Sequence, residues 1–203
     1  MPACSGCWAR HPGPDFGVAA AASLAGIEEE AARPVLHRLV LASLVTEDAA
    51  GRFGMHDLLR LFARDTCQDA DGPAARDAAE ARLVRHYTDR AGFLDACVDP
   101  PQRPAAEQAG VPLPSMREAL ALFEAERPSL LAVLGLAAQR GWDEQVRLLS
   151  DRIDGSLTLL RYLDDLLTVQ EAALAAARRA GDTPAEGRAP GQPRQRLPGA
   201  AAV

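Results

Sequence analysis

The sequence predicts an all-α protein with one small β-hairpin, and three observations carry that prediction. Hydrophobic residues make up 48% of the 203 residues, yet aromatics are only 4%. Ala and Leu supply most of the apolar content, and with Arg and Glu they favour helix, whereas strands favour β-branched and aromatic side chains. Apolar residues recur at helical spacing along most of the chain, and one stretch alone alternates around a glycine-ending turn.

The elements follow in order. Residues 1–10 hold two of the four cysteines and show no periodicity; they are expected to be a disordered or non-native tail. Asp15 is expected to cap a short helix through Val18, Ala22 and Leu24 that Gly26 ends. Glu28, Glu29 and Glu30 place negative charge at the next helix start. Leu36, Leu39, Val40 and Leu44 form its apolar face, with a kink or late start expected at Pro34. Two short extended runs, Leu44–Glu47 and Arg52–Met55, flank Asp48–Gly51 as a hairpin. A third helix starts near His56 and Asp57, with Leu58, Leu59, Leu61 and Phe62 expected to face inward. Residues 11–70 thus have the order helix, helix, hairpin, helix, which is the shape of a winged helix.

Residues 74–187 read as helical hairpins leading into a tetratricopeptide-like repeat. A long helix over residues 74–98 carries Leu83, Val84, Tyr87, Phe93 and Leu94 on one side. Five prolines in residues 99–114 predict a loop. Helices over residues 115–125, from Pro128 to about 140, 143–153 and 157–179 follow. Residues 188–203 are expected to be a second disordered tail. Both tails permit codons that, read one base over, give apolar helical sequence. They are therefore expected to be frameshifted ends of a longer reading frame.

The formal net charge is −6. A protein that holds nucleic acid mainly through phosphates normally carries a basic excess. The acidic total therefore argues against DNA as a partner, although Arg33, Arg38 and Arg52 are candidate phosphate contacts. No apolar run is long enough to span a membrane, and no export signal opens the chain, so a cytoplasmic location is expected. Cys4, Cys7 and His11 supply three potential zinc ligands where a structural site needs four, so no metal is expected. No catalytic triad or dyad carries a supporting motif.

Several stretches resemble one family. They are His11-Pro12-Gly13-Pro14-Asp15-Phe16, the Ala-rich helix to Gly26, and Gly51-Arg52-Phe53-Gly54-Met55-His56-Asp57-Leu58-Leu59-Arg60-Leu61-Phe62-Ala63. With Leu122–Leu131 and Glu171–Asp182 they resemble actinobacterial NB-ARC (STAND-class) ATPase regulators. These include the antibiotic-regulatory SARP type with tetratricopeptide repeats. The resemblance covers residues 11–188. It implies a regulatory, protein-interaction segment of a nucleotide-switched signalling or transcriptional regulator. In that family a Met-His-Asp motif senses bound ADP, and Met55, His56 and Asp57 match it.

The chemistry is sound, because a helix start offers free N–H groups and a positive dipole to phosphate. The resemblance also implies that ADP or ATP binds only in the intact parent. All 22 basic residues are arginine, so the lysine of a G-x-x-x-x-G-K-[ST] phosphate loop cannot be present. The chain is therefore expected not to be an enzyme and to hold no cofactor by itself. Its expected partners are the missing nucleotide-binding core or other proteins that meet the helical repeats. The alternative is a free-standing winged-helix DNA-binding transcriptional regulator with a helical sensor domain.

Overall fold

The computed structural model describes residues 7–70, 72–98 and 113–181. The chain is mostly helical with one small three-stranded antiparallel sheet. A 3-10 turn, Cys7–Arg10, opens it, followed by β1 (Asp15–Phe16), α1 (Val18–Ala25) and α2 (Glu29–Leu41). The hairpin β2 (Thr46–Glu47) and β3 (Phe53–Gly54) leads into α3 (Asp57–Ala70). Four longer helices complete the described residues: α4 (Pro73–Val98), α5 (Met116–Gln139), α6 (Asp143–Leu160) and α7 (Leu163–Ala180). The strand order is β1-β3-β2, with Phe16 opposite Phe53 and Glu47 opposite Phe53 on its other side.

One core runs through both halves. Phe16, Leu24, Leu36 and Phe53 meet Leu83, Tyr87 and Leu94 of α4, which in turn pack on Phe123, Leu130, Val146 and Ile153. The two strands of the hairpin are short, so Asp48 organises its turn by accepting from the Ala50 and Arg52 N–H groups at 2.8 and 2.9 Å. Gly26 ends α1 at φ 68°, a left-handed position that suits glycine. Arg82 of α4 donates to the freed carbonyls of Ser23 and Leu24, both at 2.9 Å. Arg161 ends α6 at φ 60° without being glycine.

The structure corrects several expectations. Residues 7–10 are not a tail: Trp8 is buried, and its indole N–H donates to the Ala21 carbonyl at 2.8 Å. A large ring that also finds a partner for its N–H repays ordering. Residues 1–6, residues 99–112 of the proposed 99–114 loop and the second tail lie outside the described residues. Asp15 does not cap α1; it sits in β1, and Gly17 is the N-cap. The Asp15 carboxylate instead accepts from Arg52 Nε at 2.7 Å.

Helix α2 starts well before Pro34 and continues through it, because its burial of Ala32 and Leu36 outweighs one lost hydrogen bond. Pro128 likewise lies inside α5, which is one helix and not two. A reciprocal capping box of Ser115 and Glu118 starts that helix. The boundary expected between residues 153 and 157 lies at Arg161–Tyr162, since buried Ser156 and Leu157 hold α6 across Gly155.

The reversal in α3 matters most. Leu58, Leu61 and Phe62 were expected inside but are 71%, 58% and 71% exposed. The face turned to the protein carries Arg60 and Arg64, which find carbonyl acceptors there.

Gly13 is pinned by close approach. A β-carbon there would lie 2.4 Å from Ser129 Oγ and 2.9 Å from Ser129 Cα in α5. Gly13→Ala should therefore force α5 away from the residue 11–14 segment and cost about 1–3 kcal/mol, as overpacking does. Urea denaturation should show a lower midpoint with an unchanged slope; an unchanged midpoint would contradict this packing.

Candidate functional site

The site the sequence singles out is the junction from β3 to α3. Met55 packs partly against the core, while His56 and Asp57 are exposed. His56 is the N-cap of α3. Its carbonyl accepts from the Arg60 N–H at 2.9 Å, and its Nδ1 accepts from the Leu58 N–H at 3.3 Å. An accepting Nδ1 carries no proton, so the partner assigns the ring proton to Nε2. The imidazole thus caps one orphan amide and retains a second nitrogen as a donor on the exposed side. Asp57 adds negative charge in the first turn, where it favours the helix dipole.

The structure brings Met55, His56 and Asp57 to one exposed helix start. A cavity of about 560 Å³ lies elsewhere, between the α1–α2 turn and α4, lined by Ser23, Glu28, Glu29, Arg85 and His86 among others.

Sequence reasoning missed the residues that fix the neighbouring segment. His11 is buried, and both ring nitrogens are engaged. Its Nδ1 accepts from the Gly13 N–H at 3.1 Å, and its Nε2 lies 2.8 Å from Tyr87 Oη. By the same logic the neutral ring carries its proton on Nε2 and donates it to Tyr87. Close by, the Ser129 hydroxyl of α5 donates to the Asp15 carbonyl at 2.7 Å. Two linked bonds, Gly13 to His11 to Tyr87, join the first segment to α4, and the Ser129 bond joins it to α5. Burial pushes the Tyr87 phenol up. The glycine between two prolines was the available signal for this contact; nothing in the sequence pointed to Ser129.

His11 is therefore engaged inside the fold and is not presented to a metal. Among the described residues no group of three potential ligands forms a metal site. Cys4 lies outside those residues. Arg52 is drawn to Asp15, whereas Arg33 and Arg38 stay exposed on α2 beside His37 and behind Glu28, Glu29 and Glu30. Among the described residues no helix is long and apolar enough to cross a membrane.

Comparison with known proteins adds two relatives. The chain is similar to the regulatory protein AfsR of Streptomyces griseus, 34% identical over 139 residues. The match covers 66% of this chain and 14% of that protein. It is also similar to the regulatory protein AfsR of Streptomyces coelicolor, 37% identical over 95 residues, which is 45% of this chain and 10% of that protein. The chain therefore spans about a seventh or less of the relatives it matches. No family profile and no solved structure matches it. The relatives lend no support to the expectation against DNA, since a regulatory protein can act through DNA as well as through other proteins.

Burial lowers the His11 pKa from an ordinary 6.5 to about 3, with Arg60 and Arg52 adding to the effect. The unfolded chain therefore takes up this proton first. Stability from His11 is complete above pH 6.5 and is lost as the pH falls towards 3, by at most about 1.4 kcal/mol per pH unit. Replacing His11 with Gln should remove that contribution to the slope. Equal slopes for the two proteins between pH 4 and 6.5 would mean that His11 is not held neutral in the fold.

Proposed function

We propose that this chain is the regulatory segment of a longer nucleotide-switched signalling regulator, in which His56 reads bound ADP. The observation that carries this reading is the state of His56. It caps α3 with Nδ1 and turns a spare N–H donor outward, at a helix start whose free amides already favour phosphate. The core does not use that donor.

Several features support the wider reading. The strand order β1-β3-β2, with α1 and α2 between the first two strands, is compatible with a winged helix over residues 11–70. Helices α4 to α7 pack on one another as neighbours joined in part by short turns, which agrees with a repeat-like protein-binding array over 74–187. The likeness to two much longer regulatory proteins fits a part that works within a larger chain. The absence of lysine from the sequence leaves no phosphate-loop lysine here, so nucleotide turnover belongs to the missing core. The partners of the segment are then that core and other proteins, in the cytoplasm. A second reading, a free-standing DNA-binding regulator, draws on exposed Arg33, His37 and Arg38 of α2. Glu28, Glu29 and Glu30 at the start of the same helix repel phosphate and weigh against it.

The test grafts residues 11–188 into a complete relative and compares three residues at position 56. One charge-assisted phosphate bond is worth about 1.5–3 kcal/mol. His56→Ala should therefore weaken ADP retention roughly tenfold or more and raise signalling output. His56→Asn keeps an oxygen that can cap Leu58, so it should retain stability yet still lose ADP. Unchanged ADP affinity in both variants would reduce His56 to a capping residue. Tight, steeply salt-dependent DNA binding by the ungrafted chain would favour the second reading.

A further inference from the structure

Helix α3 is amphipathic the wrong way round. Its outward face carries Leu58, Leu61 and Phe62, while its inner face carries Leu59, Arg60, Ala63 and Arg64, all only half-buried. Its packing falls mainly on the 3-10 turn at Cys7–Arg10. What ties it down is polar. Arg60 Nη1 donates to the Gly13 carbonyl at 2.8 Å and reaches the His11 carbonyl at 3.5 Å. Its Nη2 donates to the Pro14 carbonyl at 3.2 Å, and Arg64 Nε donates to the Ala9 carbonyl at 2.7 Å.

The sequence explains the match. Pro12 and Pro14 remove backbone donors from this segment, which is neither helix nor strand, so its carbonyls need donors from outside. A guanidinium offers several donors in a fixed fork, which suits adjacent carbonyls better than an ammonium would.

We propose that α3 is a detachable helix, held to the protein by an arginine latch, and that Arg60 is the residue that keeps it closed. Undocking gives up the packing of half-buried Leu59 and Ala63 on the 3-10 turn, but Leu58, Leu61 and Phe62 already point outward, and water can replace the arginine as donor to the released carbonyls. The movement turns about Met55 and His56, so it carries the His56 cap with it. The consequence for His56 rests on the nucleotide reading given above, whereas the latch itself does not.

Hydrogen exchange of the whole 203-residue chain tests the latch without nucleotide. Arg60→Ala should speed exchange of the amides of residues 60–65 at least tenfold. The amides of α5 and α6 should keep their wild-type rates. Arg64→Ala should act in the same direction and more weakly, since it removes one bond to one carbonyl. Arg60→Lys should give an intermediate rate, because an ammonium can serve only part of the fork. Unchanged exchange over residues 60–65 in Arg60→Ala overturns the proposal. An equal rise in α5 and α6 also overturns it, because Arg60 would then support the whole fold. Either result leaves the ADP reading of His56 standing, and failure of the grafted His56 variants leaves the latch standing.

Discussion

The architecture depends on one buried hydrogen-bond chain with a fixed direction. The Gly13 N–H donates to His11 and His11 to Tyr87, while Ser129 of α5 donates to the Asp15 carbonyl of the same segment. Gly13, His11 and Tyr87 are buried, so losing either side chain leaves a neighbour without a partner at a cost of about 1–3 kcal/mol. A second proton on His11 would face the Gly13 N–H, donor against donor, and the chain has no other direction to run. This polar seam sets where α4 and α5 lie against the small sheet. Apolar packing of Phe16, Phe53, Leu83 and Leu130 around it then fills the space. The same segment receives Arg60 on its outer side, so the seating of α3 is inherited from it.

Much of the fold was legible because local rules and burial agree. Gly26, the glutamates at the start of α2, the hairpin around Asp48–Gly51 and the apolar stripe of α4 all sit where their chemistry wants them. The errors share a cause, which is tertiary contact overriding a local signal. Pro34 and Pro128 lie inside helices that neighbouring apolar residues hold together. Trp8 leaves an unpatterned stretch to fill the core. Strand β1 is two residues long, too short for a period to show, and exists because it pairs with β3. The Ser115–Glu118 capping box is legible in the spacing alone.

The candidate site was legible in position but not in setting. Met55, His56 and Asp57 do fall at a hairpin-to-helix junction, as their motif requires. Assigning Leu58, Leu61 and Phe62 to the interior followed from treating every apolar residue of an amphipathic helix as core. The opposite face of α3 is cationic, and the carbonyls that Arg60 satisfies come from more than forty residues away in the chain. No window of sequence contains that pairing.

The central claim is that the His11 chain is neutral, directional and buried, and imidazole nitrogen shifts in a nitrogen-15 labelled sample test it most directly. The account predicts that His11 keeps an unprotonated Nδ1 and a protonated Nε2 from pH 7.5 down to pH 5. A ring protonated on Nδ1, or one that titrates near 6.5 like a free imidazole, would contradict it.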